Sequence, residues 1–104
     1  MTGADLDIDE VARLAASCPS VARLATGGAV EVATYLPGRR VAGVRSTAGG
    51  IEVHVVARYG PSLPDVAEEV RAAVQPVVGD RPVAVCIDDV DLAAGAGPAM
   101  TGPP

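Results

Sequence analysis

His54 is the residue of this 104-residue chain best suited to acid–base chemistry, and it is the only histidine. A catalytic base also needs a nucleophile and a cleft, and no nucleophile motif such as G-x-S-x-G accompanies it. Alternation along the segment IEVHVVARY, residues 51–59, puts His54 on the polar face of a strand, near Glu52 and Arg58. We therefore interpret His54 as a solvated or surface-paired side chain rather than a catalytic base.

The other candidates for metal binding or nucleophilic chemistry are two cysteines and one cluster of aspartates: Cys18, Cys86, Asp88, Asp89 and Asp91. One histidine and two distant cysteines do not make a zinc tetrad. The aspartates could collect an oxygen-seeking cation, but alternation predicts that Asp88 faces away from the other two, and the glycine and glutamate of a calcium loop are missing. The cysteines lie in apolar surroundings without a neighbouring arginine or histidine, so we predict that both are small core residues.

The glycine pairs do not form a phosphate-binding loop. Gly27-Gly28 and Gly49-Gly50 belong neither to a G-x-G-x-x-G motif nor to a P-loop, because no G-K-[ST] sequence follows them. We interpret both pairs as turns. Without a nucleophile motif, a metal tetrad or a phosphate loop, the sequence predicts a protein that has no cofactor and is not an enzyme.

Arginines are concentrated in one region of an acidic chain. All eight basic residues are arginine, the net charge is −5 and the isoelectric point is about 4.6. Residues 39–58 contain four arginines and one glutamate, a net +3, which leaves −8 for the rest of the chain. RNA binding would use these arginines on phosphates. The acidic isoelectric point, the scarcity of aromatic residues for base stacking and the lack of a GXXG clamp speak against it.

Protein contact accounts for the same arginines, because arginine and tyrosine are favoured at interfaces and a basic edge can meet an acidic patch on another copy. A scattered set of solvated arginines is the remaining interpretation. We favour protein contact over RNA binding as the function of this region. The predicted contact residues are Arg39, Arg40, Arg45, His54, Arg58 and Tyr59.

The composition predicts one small domain with an aliphatic core. Hydrophobic residues make up 49% of the chain and the mean hydropathy is +0.33, while Phe and Trp are absent and Tyr occurs twice. A chain of this length suffices for a single core. The first ten residues, MTGADLDIDE, do not resemble a secretory signal, and no apolar run approaches the roughly 20 residues of a membrane span. We therefore expect a soluble, cytoplasmic protein.

The periodicity of apolar residues predicts two helices and four strands in the order α-β-β-β-α-β. The first helix covers residues 9–18, and the second begins after the N-cap Ser62 and is kinked or ended near Gln75 by Pro76. The apolar stripe predicted for the second helix comprises Leu63, Val66, Ala67, Val70, Val74 and Val77. The strands are predicted at 29–36, 41–47, 51–59 and 82–90.

The last strand, PVAVCIDDV, is nearly continuous in apolar residues until Asp88, which predicts a position well inside the sheet. If the strands on either side of the second helix are parallel, a right-handed crossover leaves both helices on one face. The expected fold is a two-layer α/β sandwich, a small mixed sheet with two helices on one face. Residues 1–8 are predicted to be an acidic segment, 9–91 the domain, and 92–104 a flexible Gly/Pro/Ala tail.

Three segments resemble the alkaline shock protein family, also described as the envelope stress response or general stress protein family, in its short GC-rich bacterial form. They are ATYLPGRRVAGVR (33–45), IEVHVVARYGPSLPDVAEEVRAAVQPVVG (51–79) and RPVAVCIDDV (81–90). The most specific element is Tyr59-Gly60 at a strand end, followed by a valine-striped helix, Gly79 and an alternating strand before Asp89-Val90. Ser20 stands where the family usually has glycine.

This resemblance implies a non-enzymatic cytoplasmic protein linked to envelope or alkaline stress. Members of the family can self-associate and can be held at the membrane by a small membrane-anchored partner, and no catalytic residues come with the resemblance. The expected function is that of a scaffold or adaptor that acts through protein contacts, with a small RNA-binding domain as the alternative.

Overall fold

The computed structural model describes residues 6–26 and 32–93, and the predicted tail from residue 94 onward and the first five residues lie outside them. The described chain forms two helices and six strands. The helices are α1 (Ile8–Ala16) and α2 (Leu63–Val78). The strands are β1 (Val21–Leu24), β2 (Ala33–Leu36), β3 (Arg39–Ala42), β4 (Val44–Thr47), β5 (Gly50–Arg58) and β6 (Val83–Asp91).

Strand β5 is the centre of a four-stranded mixed sheet. On one side it pairs with β6 in parallel, as expected for strands that flank a crossover helix. On its other side the two halves of β5 pair antiparallel with different strands, the first half with β4 and the second with β1. β2 and β3 form a separate two-stranded hairpin. The predicted α/β class is confirmed, and the order contains two strands more than the sequence predicted.

The additional strands have local causes. Gly43 ends β3 with a φ of +87°, and a Cβ at this position would lie 2.9 Å from the Cβ of Leu24. A residue with a side chain would therefore meet both backbone strain and a clash there, so the chain turns and the predicted strand 41–47 becomes β3 and β4. β1 has only four residues, too short for an alternating pattern to predict. Residues 29–31 of the first predicted strand lie outside the described part of the chain.

The core lies between the sheet and the two helices. Ile51, Val53, Val55 and Ala57 alternate along β5 and are all buried, as the period of two predicts. They belong to one cluster with Val11, Ala15 and Cys18 of the α1 segment and with the α2 residues Val66, Val70, Val74 and Val78. The α2 stripe is therefore confirmed at its centre, whereas Leu63 is exposed, because it occupies the first turn of the helix beyond the edge of the sheet.

α2 begins as the sequence predicts and ends later. The Ser62 hydroxyl oxygen accepts a hydrogen bond from the Asp65 N–H at 3.2 Å and so caps the helix. Of the two effects predicted for Pro76, a kink or an end near Gln75, the end does not occur, since the helix continues to Val78. Pro76 lies within the last turn on the exposed side, where water can solvate the carbonyl that loses its donor.

Strand β6 lies at an edge of the sheet, and the prediction of an interior position is wrong. Within residues 6–26 and 32–93, β6 pairs with β5 alone. Its apolar run has another origin: Val83, Val85 and Ile87 pack partly against the core. In the same described part of the chain, no helix is long and apolar enough to cross a membrane.

Candidate functional site

The face of the four-stranded sheet opposite the helices carries a polar network centred on His54; we call this face the open face. The Nδ1 atom of His54 lies 3.0 and 3.1 Å from the two carboxylate oxygens of Asp88, and Nε2 lies 3.4 Å from Oε1 of Glu52. Arg45 donates to the same Glu52 oxygen at 2.7 Å. His54 is thus surface-paired, as the sequence predicted, with only 15% of its side chain exposed.

A β-bulge lies at Asp88, beside this network. The register between β5 and β6 runs from Val55 opposite Ile87 to Val56 opposite Asp89, so Asp88 is an extra residue. The prediction that Asp88 and Asp89 face opposite sides assumed strict alternation and is wrong, since both line the same depression on the open face. No sequence signal marks the bulge, because Asp88-Asp89 fits the regular two-residue period of a strand.

The network stabilises the ionised carboxylate of Glu52 and disfavours a thiolate at Cys86. The hydrogen bond from Arg45 lowers the pKa of Glu52, with a further contribution from the hydrogen bond to His54. Cys86 lies opposite His54 in the strand register and is half-buried on this face, not in the core as predicted. Burial raises the pKa of Cys86, and the nearby charges of Glu52 and Asp88 raise it further. These neighbours work against a reactive thiol.

The depression at the bulge has mixed charge. It has a volume of about 440 Å³ and is lined by Arg23, Val56, Asp88 and Asp89 together with the chain at 24–26. Arg23 donates to a carboxylate oxygen of Asp91 at 2.7 Å, which joins β1 to the end of β6. In the described ranges, no group of three His, Cys, Asp or Glu residues is arranged to hold a metal ion.

A second depression lies where β5 leads into α2, and its lining is more apolar. It has a volume of about 360 Å³ and includes Arg58, Tyr59, Leu63 and Val90, which we call the Tyr59 patch. Tyr59 is 58% exposed and Leu63 is 46% exposed. The Tyr59 N–H reaches the Asp91 carbonyl at 3.4 Å, so the end of β6 fixes the backbone beside this patch. Sequence reasoning missed Leu63 because its spacing fits the buried stripe of α2.

The six predicted contact residues do not form one surface. Arg45 and His54 share the open face and are bridged by Glu52. Arg58 and Tyr59 lie at the far end of β5, about 13 Å further along the strand at 3.3 Å per residue. Arg39 and Arg40 belong to the β2–β3 hairpin, where Arg40 lies opposite Tyr35 in a different sheet. The predicted basic surface therefore separates into three places: the open face, the far end of β5 and the β2–β3 hairpin. The open face also carries carboxylates.

A link between the two layers also escaped sequence reasoning. The carboxylate of Glu69 on α2 accepts hydrogen bonds from the Ser20 N–H at 3.0 Å and from the Ser20 hydroxyl at 2.9 Å. Ser20 immediately precedes β1, so the pair fastens α2 to the start of that strand. The two residues are 49 positions apart in sequence, so no local pattern predicts their contact.

Comparison of the chain with protein-family models, curated proteins and solved structures gave no match. The alkaline-shock resemblance therefore rests on the residues alone and stays a prediction.

Proposed function

We propose that this protein is a non-enzymatic scaffold or adaptor that acts through protein contacts in the response to envelope or alkaline stress. In this proposal it works in the cytoplasm, associates with itself, and is held at the inner face of the membrane by a small membrane-anchored partner. The stress role and the anchored partner follow from the family resemblance. The mode of action, by protein contact, is supported by the Tyr59 patch.

The observation that carries the proposal is the exposure of Tyr59 and Leu63 beside Arg58. Both aromatic residues of the chain, Tyr35 and Tyr59, are more than half exposed, and Tyr59 shares its depression with the exposed Leu63. Tyrosine and arginine are the residue types most enriched at the centres of protein interfaces, where they fill desolvated pockets. An exposed tyrosine and leucine lining one shallow depression therefore offer an anchor site for another protein.

The charges of the open face support a protein partner over a nucleic acid. Arg45 is hydrogen-bonded to Glu52, and Arg23 to Asp91. A phosphate group would have to compete with these carboxylates and would also be repelled by Asp88 and the rest of the acidic chain. A protein surface can complement such a mixed pattern, because it presents both signs of charge.

A site-specific photo-crosslinker tests this proposal. The amino acid benzoylphenylalanine is introduced in place of Tyr59, and irradiation is done in the native cells at neutral and alkaline pH. The matched control carries the same group at Ala72, which is exposed on the outer side of α2. We expect a discrete protein adduct from position 59 that position 72 does not give. Adducts that ribonuclease removes would favour the RNA alternative, and equal labelling from both positions would contradict the proposal.

A further inference from the structure

The outer edge of β6 is the longest strand edge in the described part of the chain that pairs with no further strand. β6 has nine residues and pairs only with β5, whereas β1 and β4, at the other side of the sheet, have four residues each. An edge strand presents a row of backbone donors and acceptors to which another strand can be added. The question is which strand fits it.

The backbone groups that face outward can be assigned from the pairing. The Ile51 N–H donates to the Pro82 carbonyl at 2.9 Å, and in a parallel ladder every second residue of a strand faces its partner. The residues whose backbone groups point away from β5 are therefore Val83, Val85 and Ile87. The side chain of Arg71 confirms this direction, since its Nε donates to the outward carbonyl of Val83 at 3.3 Å.

Apolar side chains accompany this edge. Val83, Val85 and Ile87 are only partly buried, and so are Ala73 and Val77 of the neighbouring helix α2. The core therefore reaches the surface along β6 without being closed over. A strand added at this edge would bury apolar area as well as satisfy backbone groups.

The charge distribution along the edge is directional. The start of β6 carries both signs of charge, Arg71 with its partner Glu68 and Arg81 beside Asp80, whereas Asp88 and Asp89 lie towards its end. An antiparallel strand of the same sequence brings the mixed start of one copy against the acidic end of the other. A parallel copy would instead place the two acidic ends together, which is unfavourable.

We propose that a second copy of this chain adds its β6 antiparallel to this edge, with the two-fold axis at Val85. The inference rests on the proposed scaffold function and names one self-association surface for it. Pro82 precedes the strand and the bulge at Asp88 interrupts it, so the regular segment is 83–87. Segment 83–87 of one copy pairs along its whole length with segment 83–87 of the other only when Val85 lies opposite Val85 of the second copy.

This register makes specific neighbours. Val83 lies opposite Ile87 of the second copy, and each of the three outward residue pairs can exchange two backbone hydrogen bonds. The carbonyl of Val83 exchanges its long bond to Arg71 for a backbone N–H. Beyond the regular segment, Arg81 of each copy lies towards the acidic end of the other copy, at Asp88 and Asp89. The assembly is isologous and closed, and it joins the two sheets into one continuous sheet.

A disulfide test follows from the register. Ala84 lies opposite Cys86 of the second copy as a non-hydrogen-bonded pair, for which the Cα atoms are about 4.5 Å apart, within disulfide range. Under mild oxidation, Ala84→Cys is expected to give a covalent dimer, seen on a non-reducing gel. Adding Cys86→Ser should abolish it. The wild type should not cross-link, because Cys86 is displaced by two residues from its own counterpart, about 7–8 Å away.

A charge exchange tests the same register without a cross-link. In sedimentation velocity, Arg81→Glu and Asp89→Arg should each weaken the wild-type dimer at least tenfold, and the double variant should restore it. A wild type that stays monomeric at high concentration would overturn the proposal, and Pro82 and the bulge would then be devices that protect the edge. Self-association that neither charge variant weakens would also overturn it but leave the scaffold function standing. The scaffold function itself fails only in the photo-crosslinking experiment at Tyr59.

Discussion

Removing the Glu69 carboxylate should destabilise the fold more than any other change to a polar side chain on α2. Glu69 accepts two hydrogen bonds from Ser20, one from the backbone N–H and one from the hydroxyl, in a partly buried position. A hydrogen bond to a charged group contributes about 1.5–3 kcal/mol, and an unpaired donor left behind adds to the cost. Partial access of water reduces both amounts. We therefore expect Glu69→Ala to lower the free energy of unfolding by about 2–4 kcal/mol.

The partner variant should cost less, because it removes one bond rather than two. Ser20→Ala loses the hydroxyl but keeps its backbone N–H on Glu69, so we expect a loss of about 1–2 kcal/mol. Each single variant loses the hydrogen bond between the Ser20 hydroxyl and Glu69, whereas the double variant loses that bond only once. The double variant should therefore lose about 1–2 kcal/mol less than the sum of the two single variants, which is the coupling energy. Glu68→Ala is the matched control. Its carboxylate lies next in sequence, is exposed and pairs with Arg71 within the helix, so its loss should cost about 0.5 kcal/mol or less.

Urea unfolding followed by circular dichroism measures the free energy of unfolding of the wild type and of the four variants under one condition. The order Glu69→Ala, then Ser20→Ala, then Glu68→Ala is the essential result, since it depends on the two bonds and not on the absolute values. A Glu69→Ala protein as stable as Glu68→Ala would refute the reasoning. A coupling energy near zero would do so as well, because the hydroxyl bond would then contribute nothing.

Three other perturbations have expected outcomes. Gly50→Ala should cost about 3 kcal/mol or more in the same urea experiment, because φ is +146° and the new Cβ would clash with the Pro82 carbonyl. Asp88→Asn should lower the pKa of Cys86, whose thiol that carboxylate disfavours, and so speed its alkylation by iodoacetamide at pH 8. Glu52→Gln should be less stable than the wild type at pH 7. The difference should shrink as the pH falls below the ordinary Glu52 pKa of 4.5 and vanish below the lowered pKa of the folded state, because the lowered pKa stabilises only the ionised form.

Each of these variants has an internal comparison. Gly49→Ala should change stability little, since a Cβ there meets only ordinary contact distances. Cys18 is buried and its pKa is raised by burial and by the charge of Glu69, so its alkylation should stay slow in both proteins. An unchanged Cys86 rate in the aspartate variant would contradict the electrostatic explanation. A stability difference for Glu52→Gln that is constant from pH 7 to about 3 would contradict the assigned ionisation.

The sequence predicts those parts of the fold that depend on local periodicity. Both helices, the Ser62 cap and the buried face of β5 follow from spacing and capping rules, because a helix or a half-buried strand is specified by residues a few positions apart. Strand β1 and the split between β3 and β4 do not follow. The split depends on the approach of Gly43 to Leu24, a contact that exists only after the sheet has formed.

The sequence shows which residue types the candidate site contains but not how the fold groups them in space. The arginines, His54 and Tyr59 stand out in the sequence, yet their grouping depends on which strands pair and on the bulge at Asp88. One extra residue in β6 brings Asp88 and Asp89 to the same depression, which strict alternation does not predict. The exposure of Leu63 likewise depends on where the sheet ends beneath α2, which no spacing within the helix reveals.

The apolar run of β6 shows how one pattern can arise from two different environments. A strand buried on both faces inside a sheet and a strand at a sheet edge that packs on a helix can both read as continuous apolar residues. In this chain the second case holds within the described residues, so part of the apolar surface of Val83, Val85 and Ile87 is not covered by the chain's own core. Packing on the core accounts for the buried part of these three side chains. Burial of their remaining apolar surface, beside outward backbone groups, is what the proposed second copy would add.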